Sequence, residues 1–282
     1  MTKQPNPDIY RPLDVPQALQ PYVRRALIAD TNELVDMLVD VRATGYHYFG
    51  WIWRGSWQGL VNGEVRFDSD IDGCTHLSGQ VVKSEVAARM QRDVGQIFLE
   101  FTALGHYQLF GITGEQMLED AQAPQILNHA LKPHLDKLFC AEDQPAIERM
   151  ELMASVLSQM PKYPIPAGIE AAVERIEAVD GDIRISDLLI ELNLAERKFR
   201  KDFKALIGLS PKVFCKALQI NLALNQLLMN NGGDLAGVAA QTGFADQAHF
   251  TRAFRDYLGK APRGYLDNVE VTLARFVGQS RQ

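Results

Sequence analysis

Cysteines, long apolar stretches and signal-like segments are all scarce in this 282-residue sequence. The three cysteines, Cys74, Cys140 and Cys215, lie far apart, which argues against a disulfide framework or a zinc cluster. No apolar run approaches the roughly 20 residues that cross a bilayer, and the polar, proline-containing N-terminus is unlike a signal peptide. These features predict a cytoplasmic protein with no membrane partner.

Motifs for enzymatic chemistry are also missing. The sequence contains no G-x-S-x-G nucleophile motif, no P-loop and no G-x-G-x-x-G. Histidine could bind a metal in principle, but no H-x-H pair occurs, and His129 and His134, five residues apart, do not share a helix face. We therefore predict no catalytic residues, no metal site and no cofactor, and a protein that is not an enzyme.

Charge is unevenly distributed along the chain. The net charge is −6 at pH 7, which by itself speaks against a nucleic-acid partner. Residues 1–165 carry 14 basic and 21 acidic side chains, whereas residues 166–282 carry 15 and 14. The distribution of charge matters more than its sum for nucleic-acid binding, so the more basic second part is compatible with a nucleic-acid partner.

A proline-rich segment divides the chain into two parts. Pro161, Pro164 and Pro166 lie close together, and proline removes a backbone donor and disfavours helix in the residue before it. This composition predicts a linker. The predicted segments are an N-terminal domain over 1–160, the linker over 161–168, a C-terminal domain over 169–268 and a tail over 269–282.

The N-terminal domain is predicted to be rich in β-structure. Aromatic and apolar segments alternate with frequent glycines, a pattern that favours a small antiparallel β-barrel or sandwich. Residues 144–160 carry apolar side chains at helical spacing and form either a dimerisation helix or a helix that packs on the barrel. The predicted strands are 46–53, 74–82 and 96–101, and the predicted helices are 114–120, 126–139 and 144–160.

The C-terminal domain is almost wholly helical and contains an internal repeat, which makes the whole chain an α+β protein of two domains. Upstream in the repeat the offset is 50, and it relates Ile185, Leu188 and Leu194 to Leu235, Val238 and Phe244. Downstream the offset is 51, and it relates Phe199, Phe203, Gly208, Pro211 and Phe214 to Phe250, Phe254, Gly259, Pro262 and Tyr265.

Each copy of the repeat predicts a helix-turn-helix. The first helices are Ile185–Glu191 and Leu235–Gln241, and the second helices are Glu196–Ile207 and Gln247–Leu258. Asn193 and Gly243 supply the left-handed backbone that a tight corner needs, and Gly208 and Gly259 are placed to end the second helices. Asp234 and Asp246 are good N-caps, whereas the corresponding Arg184 and Ala195 are poor ones. A long helix from Ser210-Pro211 to about Met229 joins the copies.

The second helices combine a buried stripe with a polar stripe. Phe199 and Phe203 are four residues apart, as are Phe250 and Phe254, which predicts a buried face on each helix. Cationic stripes are usually only solvated surface, but their repetition in two tandem helix-turn-helix units predicts an all-α domain that binds the DNA major groove. The predicted DNA-binding residues are Arg197, Arg200, Lys201 and Lys204 in the first copy and Gln247, His249, Thr251, Arg252 and Arg255 in the second.

The second copy resembles the C-terminal signature of the AraC/XylS family of transcription regulators, and the resemblance covers about residues 169–268. It implies a seven-helix, double helix-turn-helix domain with base contacts from Arg197, Arg200, Lys201, Gln247, His249 and Arg252. Gln219 departs from the arginine that is usual in the family, and Ala248 departs from a frequent serine. The signature reads Gly243-Phe244-Ala245-Asp246-Gln247-Ala248-His249-Phe250-Thr251-Arg252-Ala253-Phe254-Arg255, followed by Gly259, Pro262 and Tyr265.

The N-terminal domain resembles, at residues 77–80 and 97–111, the β-rich sensor or dimerisation domain that precedes such regulators. Tyr46, Tyr48, Trp51 and Trp53 could line an effector pocket, although the alternative is that they fill the β-core. The partners implied are double-stranded promoter DNA, RNA polymerase and an unidentified small-molecule effector, with a homodimer as a further alternative. Two rival hypotheses remain: an enzyme fused to a DNA-targeting module, and an architectural DNA binder with no effector.

Overall fold

The chain divides into two compact units. The computed structural model describes residues 9–41, 44–82, 84–139, 144–166, 168–230 and 234–266. The first unit consists mainly of residues 9–41 and Tyr46–Ile165, and the second mainly of Pro166–Lys204 and the chain from Leu209 onwards. The first contains a sheet and the second is helical, so the predicted α+β class is confirmed. Cys140 and the predicted tail over 269–282 lie outside the described residues.

The first unit contains an antiparallel sheet with the strand order β1-β2-β6-β3-β5-β7, and β4 pairs with β3. The two ends of this order do not pair with each other in the described part of the chain, so the sheet is open and not a closed barrel. The strands are β1 (Tyr10–Leu13), β2 (Val23–Val41), β3 (Tyr48–Val61), β4 (Glu64–Asp68), β5 (Thr75–Ser78), β6 (Val86–Phe101) and β7 (Ala121–Gln122).

The three predicted strands overlap β3, β5 and β6, but β3 and β6 are much longer than predicted. Strand β2, which the sequence analysis missed, pairs with β6 along most of its length, and a register shift between Thr31 and Val35 interrupts the pairing. Asn62 and Gly63 connect β3 to β4, both with positive φ (52° and 81°). Asparagine followed by glycine suits this two-residue hairpin because both residues enter the left-handed region at low cost.

Short helices follow and flank the strands. The predicted helix over 114–120 is wrong, because that segment forms turns, and the helix predicted over 126–139 is broken by a 3₁₀ turn at His129–Leu131. The prediction over 144–160 matches one helix. The helices are α1 (Ser69–Asp72), α2 (Gly105–Phe110), α3 (Pro124–Leu127), α4 (Lys132–Phe139) and α5 (Ala146–Ser158).

The two faces of the sheet differ in chemistry. One face presents apolar residues, among them Phe49 and Leu99, to a core that also contains Leu135 of α4 and Met153 and Leu157 of α5. Helix α5 was predicted either to mediate dimerisation or to pack on the β-structure, and its apolar side packs against the sheet. The opposite face mixes apolar side chains with buried polar ones, which are His76, Gln96 and Glu100. Polar groups are seldom buried without a specific reason, so this second face is the unusual one.

The first residues of the predicted linker pack on the first unit. The ammonium Nζ of Lys162 donates to the carbonyl oxygens of Leu157 and Met160 at 3.0 Å each, at the end of α5. The backbone N–H of Tyr163 donates to the carbonyl of Gln108 at 3.0 Å. Lysine near a helix C-terminus satisfies carbonyls that have no partner within the helix. The domain boundaries themselves stay a prediction.

The second unit is a series of helices. The predicted bounds of the four helix-turn-helix helices are confirmed, and the joining helix ends at Met229 as predicted. Within the described ranges, no helix combines the length and apolar character needed to cross a bilayer. The helices are α6 (Ile169–Ala178), α7 (Ile185–Glu191), α8 (Glu196–Ile207), α9 (Pro211–Met229), α10 (Leu235–Gln241), α11 (Gln247–Leu258) and α12 (Pro262–Leu266).

Candidate nucleic-acid interface

The corners of the two helix-turn-helix units have the same geometry. Asn193 and Gly243 have φ of 50° and 75°, which confirms the predicted left-handed backbone at both turns. The following residues close the turns in the same way, because Leu194 N–H donates to the carbonyl of Leu189 at 2.9 Å and Phe244 N–H donates to that of Ala239 at 3.0 Å. The sequence repeat is therefore a repeat of backbone structure.

The helix caps differ between the units, as predicted. Asp246 accepts a hydrogen bond from the His249 backbone N–H at 2.6 Å at the start of α11, and Asp234 caps α10 through the Gly237 N–H at 2.8 Å. Helix α7 begins after Arg184, whose side chain makes no capping hydrogen bond. Gly208 and Gly259, with φ of 84° and 78°, follow the ends of α8 and α11.

Equivalent pairs of aromatic rings form the buried faces of α8 and α11. Phe199 and Phe203 of α8 are buried with ring centroids 5.4 Å apart, and the matching Phe250 and Phe254 of α11 are buried at 5.5 Å. Phe203 also contacts Phe214 at 5.6 Å, and Phe254 contacts Tyr265 at 5.6 Å, which repeats the contact 51 residues later. Because each helix buries this face, its opposite face is turned to solvent.

Helix α8 exposes the cations that the sequence analysis selected. Arg197, Arg200, Lys201 and Lys204 are all exposed. The guanidinium Nε of Arg200 lies 2.8 Å from Oε1 of Glu196, an exposed ion pair that contributes little to stability and is exchangeable. The helix carries five basic and two acidic residues, so its exposed surface is strongly positive.

Helix α11 exposes a more polar and less charged surface. Gln247, His249, Arg252 and Arg255 are exposed and Thr251 is half-buried. In the described part of the chain, Arg252 and Arg255 form no ion pair, so their guanidinium groups are available to an anion or a base edge. The predicted binding residues of α8 thus lie on one solvent-facing side of that helix, whereas those of α11 extend from its first turn over a wider arc that includes half-buried Thr251.

The four aromatic residues selected for an effector pocket do not lie together. Trp51 and Trp53 contact each other at 5.9 Å and lie beneath the guanidinium of buried Arg149, which is 5.3 Å and 4.7 Å from their rings. Tyr46 and Tyr48 lie elsewhere, beside other charged groups. The guanidinium of Arg24 is 3.7 Å from the Tyr46 ring centroid.

Tyr48 belongs to a buried charge cluster, hereafter the Glu100 cluster, on the polar face of the sheet. Glu100 is 2% exposed and accepts hydrogen bonds of 2.6 Å from the side chains of Arg24, Arg25 and Tyr48. Burial raises the pKa of Glu100, but Arg25 and then Arg24 outweigh burial, so its pKa is lowered. A groove of about 720 Å³ lies beside the cluster and is lined by Leu13, Asp14, Val15, Gln20, Val23, Arg24, Arg25 and Thr102.

The Glu100 cluster was not predicted from the sequence because strand β2 was not predicted. Arg25 on β2, Glu100 on β6 and Tyr48 on β3 stand opposite one another across three adjacent strands. A local signal was present, since residues 23–41 contain six valine, isoleucine or threonine residues and neither glycine nor proline, a composition that suits a strand. The long-range pairing that brings the three side chains together had no such signal.

Three histidines are buried in the first unit. His47 and His106 stack with centroids 3.6 Å apart, and His76 stacks on Trp57 at 3.9 Å. Burial lowers the pKa of His76 and of His106 to about 3, and burial together with His106 lowers the pKa of His47 well below its usual value. Within the described residues, no cluster of three or more histidine, cysteine, aspartate or glutamate side chains could hold a metal ion.

The helical repeat matches a known family. Residues 188–268 match the family described as a helix-turn-helix domain. The Msm operon regulatory protein of Streptococcus mutans is 24% identical over 132 residues, which cover 44% of this chain and 47% of that protein. The HTH-type transcriptional regulator ExsA of Pseudomonas aeruginosa is 29% identical over 79 residues, or 28% of each chain. This chain thus spans less than half the length of these curated relatives.

A solved structure is similar over a longer stretch. The crystal structure of ToxT from Vibrio cholerae with a bound unsaturated fatty acid is 16% identical to this chain, with a TM-score of 0.42. The similarity covers 84% of this chain and 96% of that one.

Proposed function

We propose that this chain, whose residues 188–268 match a helix-turn-helix domain, is a transcription regulator of the AraC type that binds specific DNA sequences through α8 and α11. One observation carries the proposal. Two helices 51 residues apart bury equivalent phenylalanine pairs and expose polar and cationic side chains on the opposite face. A helix of this kind fits the major groove, and two of them held by one joining helix can enter successive grooves about 34 Å apart.

The exposed side chains have two proposed roles. Arg197, Arg200 and Lys201 of α8, together with Gln247, His249 and Arg252 of α11, would contact base edges, since arginine pairs with guanine and glutamine with adenine. Lys204 and Arg255 lie further along their helices and would contact phosphates together with Thr251, and phosphate contacts set affinity and register. To contact a base, Arg200 must share or release its ion pair with Glu196, and this exchange costs little because the pair is exposed.

The test begins with a binding site selected by the full-length protein from a randomised duplex library. We expect R200A and R252A each to weaken binding to the selected site by about 1–3 kcal/mol and to relax sequence preference at one position. K204A should weaken binding to all sequences alike and reduce the salt dependence. Lys198 lies on a flank of α8 and pairs with Asp202, so K198A is a charge-matched control.

Two results would refute the assignment of the groove-facing surface. One is a failure of the wild-type protein to enrich any sequence. The other is an equal loss of affinity in K198A and R200A, which would mean that only the net charge of α8 matters and not the placement of its arginines.

For the first unit we propose a small-molecule effector site, on the polar face of the sheet near the Glu100 cluster. Of the four aromatic residues selected for this role, Tyr46 and Tyr48 border Arg24 and Glu100, beside the groove, and they are the ones that this proposal keeps. Trp51 and Trp53 take part in packing with Arg149 instead. A buried group of charges beside an open groove offers the few precisely placed polar contacts that give a ligand its orientation.

The effector proposal is tested by a thermal-shift screen of metabolites against the full-length protein. A ligand that binds only the native state at 100 times its Kd should add about 2.7 kcal/mol of stability. Y48F should reduce this gain, whereas Y107F should leave it unchanged. A screen without any stabilising compound would favour an architectural DNA binder, and turnover of a hit by the protein would favour the enzyme.

The remaining partners belong to the same proposal. A regulator of this kind acts in the cytoplasm on promoter DNA and on RNA polymerase, and a homodimer would double the number of contacted half-sites. Sedimentation of the protein with and without the selected duplex tests the homodimer, because a dimer on DNA has twice the protein mass per duplex. Transcription from a template that carries the selected site tests the effect on RNA polymerase.

A further inference from the structure

Lys216 lies on the joining helix α9, one turn from its start, and is half-buried. Its ammonium Nζ lies 4.3 Å from the centre of the Phe244 ring and donates a hydrogen bond of 2.9 Å to Oε1 of Gln219. Gln219 is itself buried. The Lys216 ammonium group therefore links helix α9 to the turn of the second helix-turn-helix unit.

Phe244 passes this contact on to the recognition helix. Its ring packs against Phe250 of α11 at 5.2 Å and against His249 at 5.5 Å, each in an edge-on arrangement. Since His249 and the first turn of α11 form the end that enters the groove, the ring under Lys216 helps to determine where that end lies. The residue equivalent to Phe244 in the first helix-turn-helix is Leu194, which has no ring to accept a cation.

The loop between α6 and α7, which precedes the first helix-turn-helix, also contacts the turn of the second helix-turn-helix. Asp182, in the loop between α6 and α7, lies against the turn glycine Gly243, where a Cβ atom would be 2.6 Å from the Asp182 Cγ. Burial and then Lys212 lower the pKa of Lys216, while Asp182 acts against this decrease and stabilises the ammonium form. The cation thus sits where the α6–α7 loop, the joining helix α9 and the turn of the second helix-turn-helix converge.

We infer that Lys216 is a positioning residue for DNA binding: its contact with the Phe244 ring fixes the orientation of α11 relative to α8 and so selects the spacing between the two half-sites. This inference rests on the proposed function. A cation over an aromatic ring is directional, and it becomes stronger when both partners are partly removed from water. Two linked binding elements gain affinity from each other only when the link holds them at the spacing of their sites.

The experiment measures spacing preference and not affinity alone. From the site selected by the wild-type protein, three kinds of duplex are made: the intact tandem site, tandem sites with one base pair inserted or deleted between the half-sites, and the half-site for α8 alone. We expect K216M in the full-length protein to bind the intact tandem site about tenfold more weakly, to lose the preference among spacings, and to bind the single half-site normally.

Four variants complete the comparison. K216R keeps a cation over the ring and should retain the spacing preference, whereas F244L should lose it as K216M does, and the double variant K216M/F244L should be no worse than either single one. Lys212, one turn earlier on α9 and exposed, supplies the charge-matched control K212M, which should behave as wild type. Circular dichroism melts show whether each variant is folded.

The outcomes separate this inference from the proposed function. If the wild-type protein enriches no site, the proposed function fails. If it does, and K216M keeps the wild-type spacing preference, the positioning role is refuted while DNA binding stands. A K216M that weakens the single half-site as much as the tandem site would show that Lys216 contacts DNA directly, which also overturns the inference.

Discussion

The buried histidines predict that mild acid destabilises the first unit before any carboxylate is protonated. His47, His76 and His106 are neutral in the folded protein because burial lowers their pKa, and they regain an ordinary pKa of about 6.5 when the chain unfolds. The unfolded chain therefore binds more protons below pH 6.5. The stabilisation that follows from neutral histidines is complete above pH 6.5 and is lost as the pH falls towards 3.

The expected magnitude follows from proton linkage. Between pH 7.0 and 5.5, one histidine whose folded pKa lies well below 5.5 costs about 1 kcal/mol of unfolding free energy, so three cost about 3–4 kcal/mol. The three tryptophans of the sequence, Trp51, Trp53 and Trp57, all lie on β3, so their fluorescence during urea unfolding reports on the first unit. An unfolding free energy that changes by less than about 1 kcal/mol over this range would refute the reasoning.

A pair of variants tests the origin of the effect. H76F removes one of the three groups and should reduce the pH-dependent loss by about a third, whatever its effect at pH 7. H129Q removes an exposed histidine and should leave the loss as it is in the wild type. An equal response of the two variants would mean that the pH dependence arises elsewhere.

Three further variants follow from single features of the fold. Asp246→Ala should lower the unfolding free energy of the helical unit by about 1 kcal/mol in circular-dichroism melts, and Asp246→Asn, which keeps the acceptor, should restore most of it. Gly259→Ala should cost about 1 kcal/mol, because its left-handed backbone is strained by a side chain that otherwise meets open space. Gly243→Ala should cost more, because its new methyl group also meets a carboxylate. Glu100→Gln should cost about 3–5 kcal/mol by tryptophan fluorescence, because it leaves two partly buried guanidinium groups without their buried counter-charge.

The helical unit was predictable from sequence because its signals are local. Turn residues such as Gly243, caps such as Asp246 and the four-residue spacing of Phe250 and Phe254 each act within one or two turns of the same helix. The repeat then doubled the evidence, since every feature of one unit could be checked against the other. The predicted helix bounds held for these reasons.

The sheet and its polar face could not be derived in the same way. Strand β2 pairs with β6, which follows about 60 residues later, and its pairing register is set by distant residues and a bulge. The aromatic segment that includes Trp51 and Trp53 does form a strand, but alternation along a strand sends successive residues to opposite faces. Tyr48 and Trp51 therefore face different environments, and no count of aromatic residues in the sequence could have separated them.

The difference in helix capping between the two helix-turn-helix units has a functional consequence if α8 and α11 enter DNA grooves as proposed. Asp246 stabilises α11 but places an exposed carboxylate at the end that approaches phosphates, where like charges repel. In the first helix-turn-helix the equivalent Ala195 gives up the cap, and the carboxylate at that end of α8 is Glu196, which pairs with Arg200. The second unit instead gains its firm placement from Asp246 and from the ring of Phe244. The unit with more charge would then supply affinity for the backbone, and the better-fixed unit would supply precision in reading the bases.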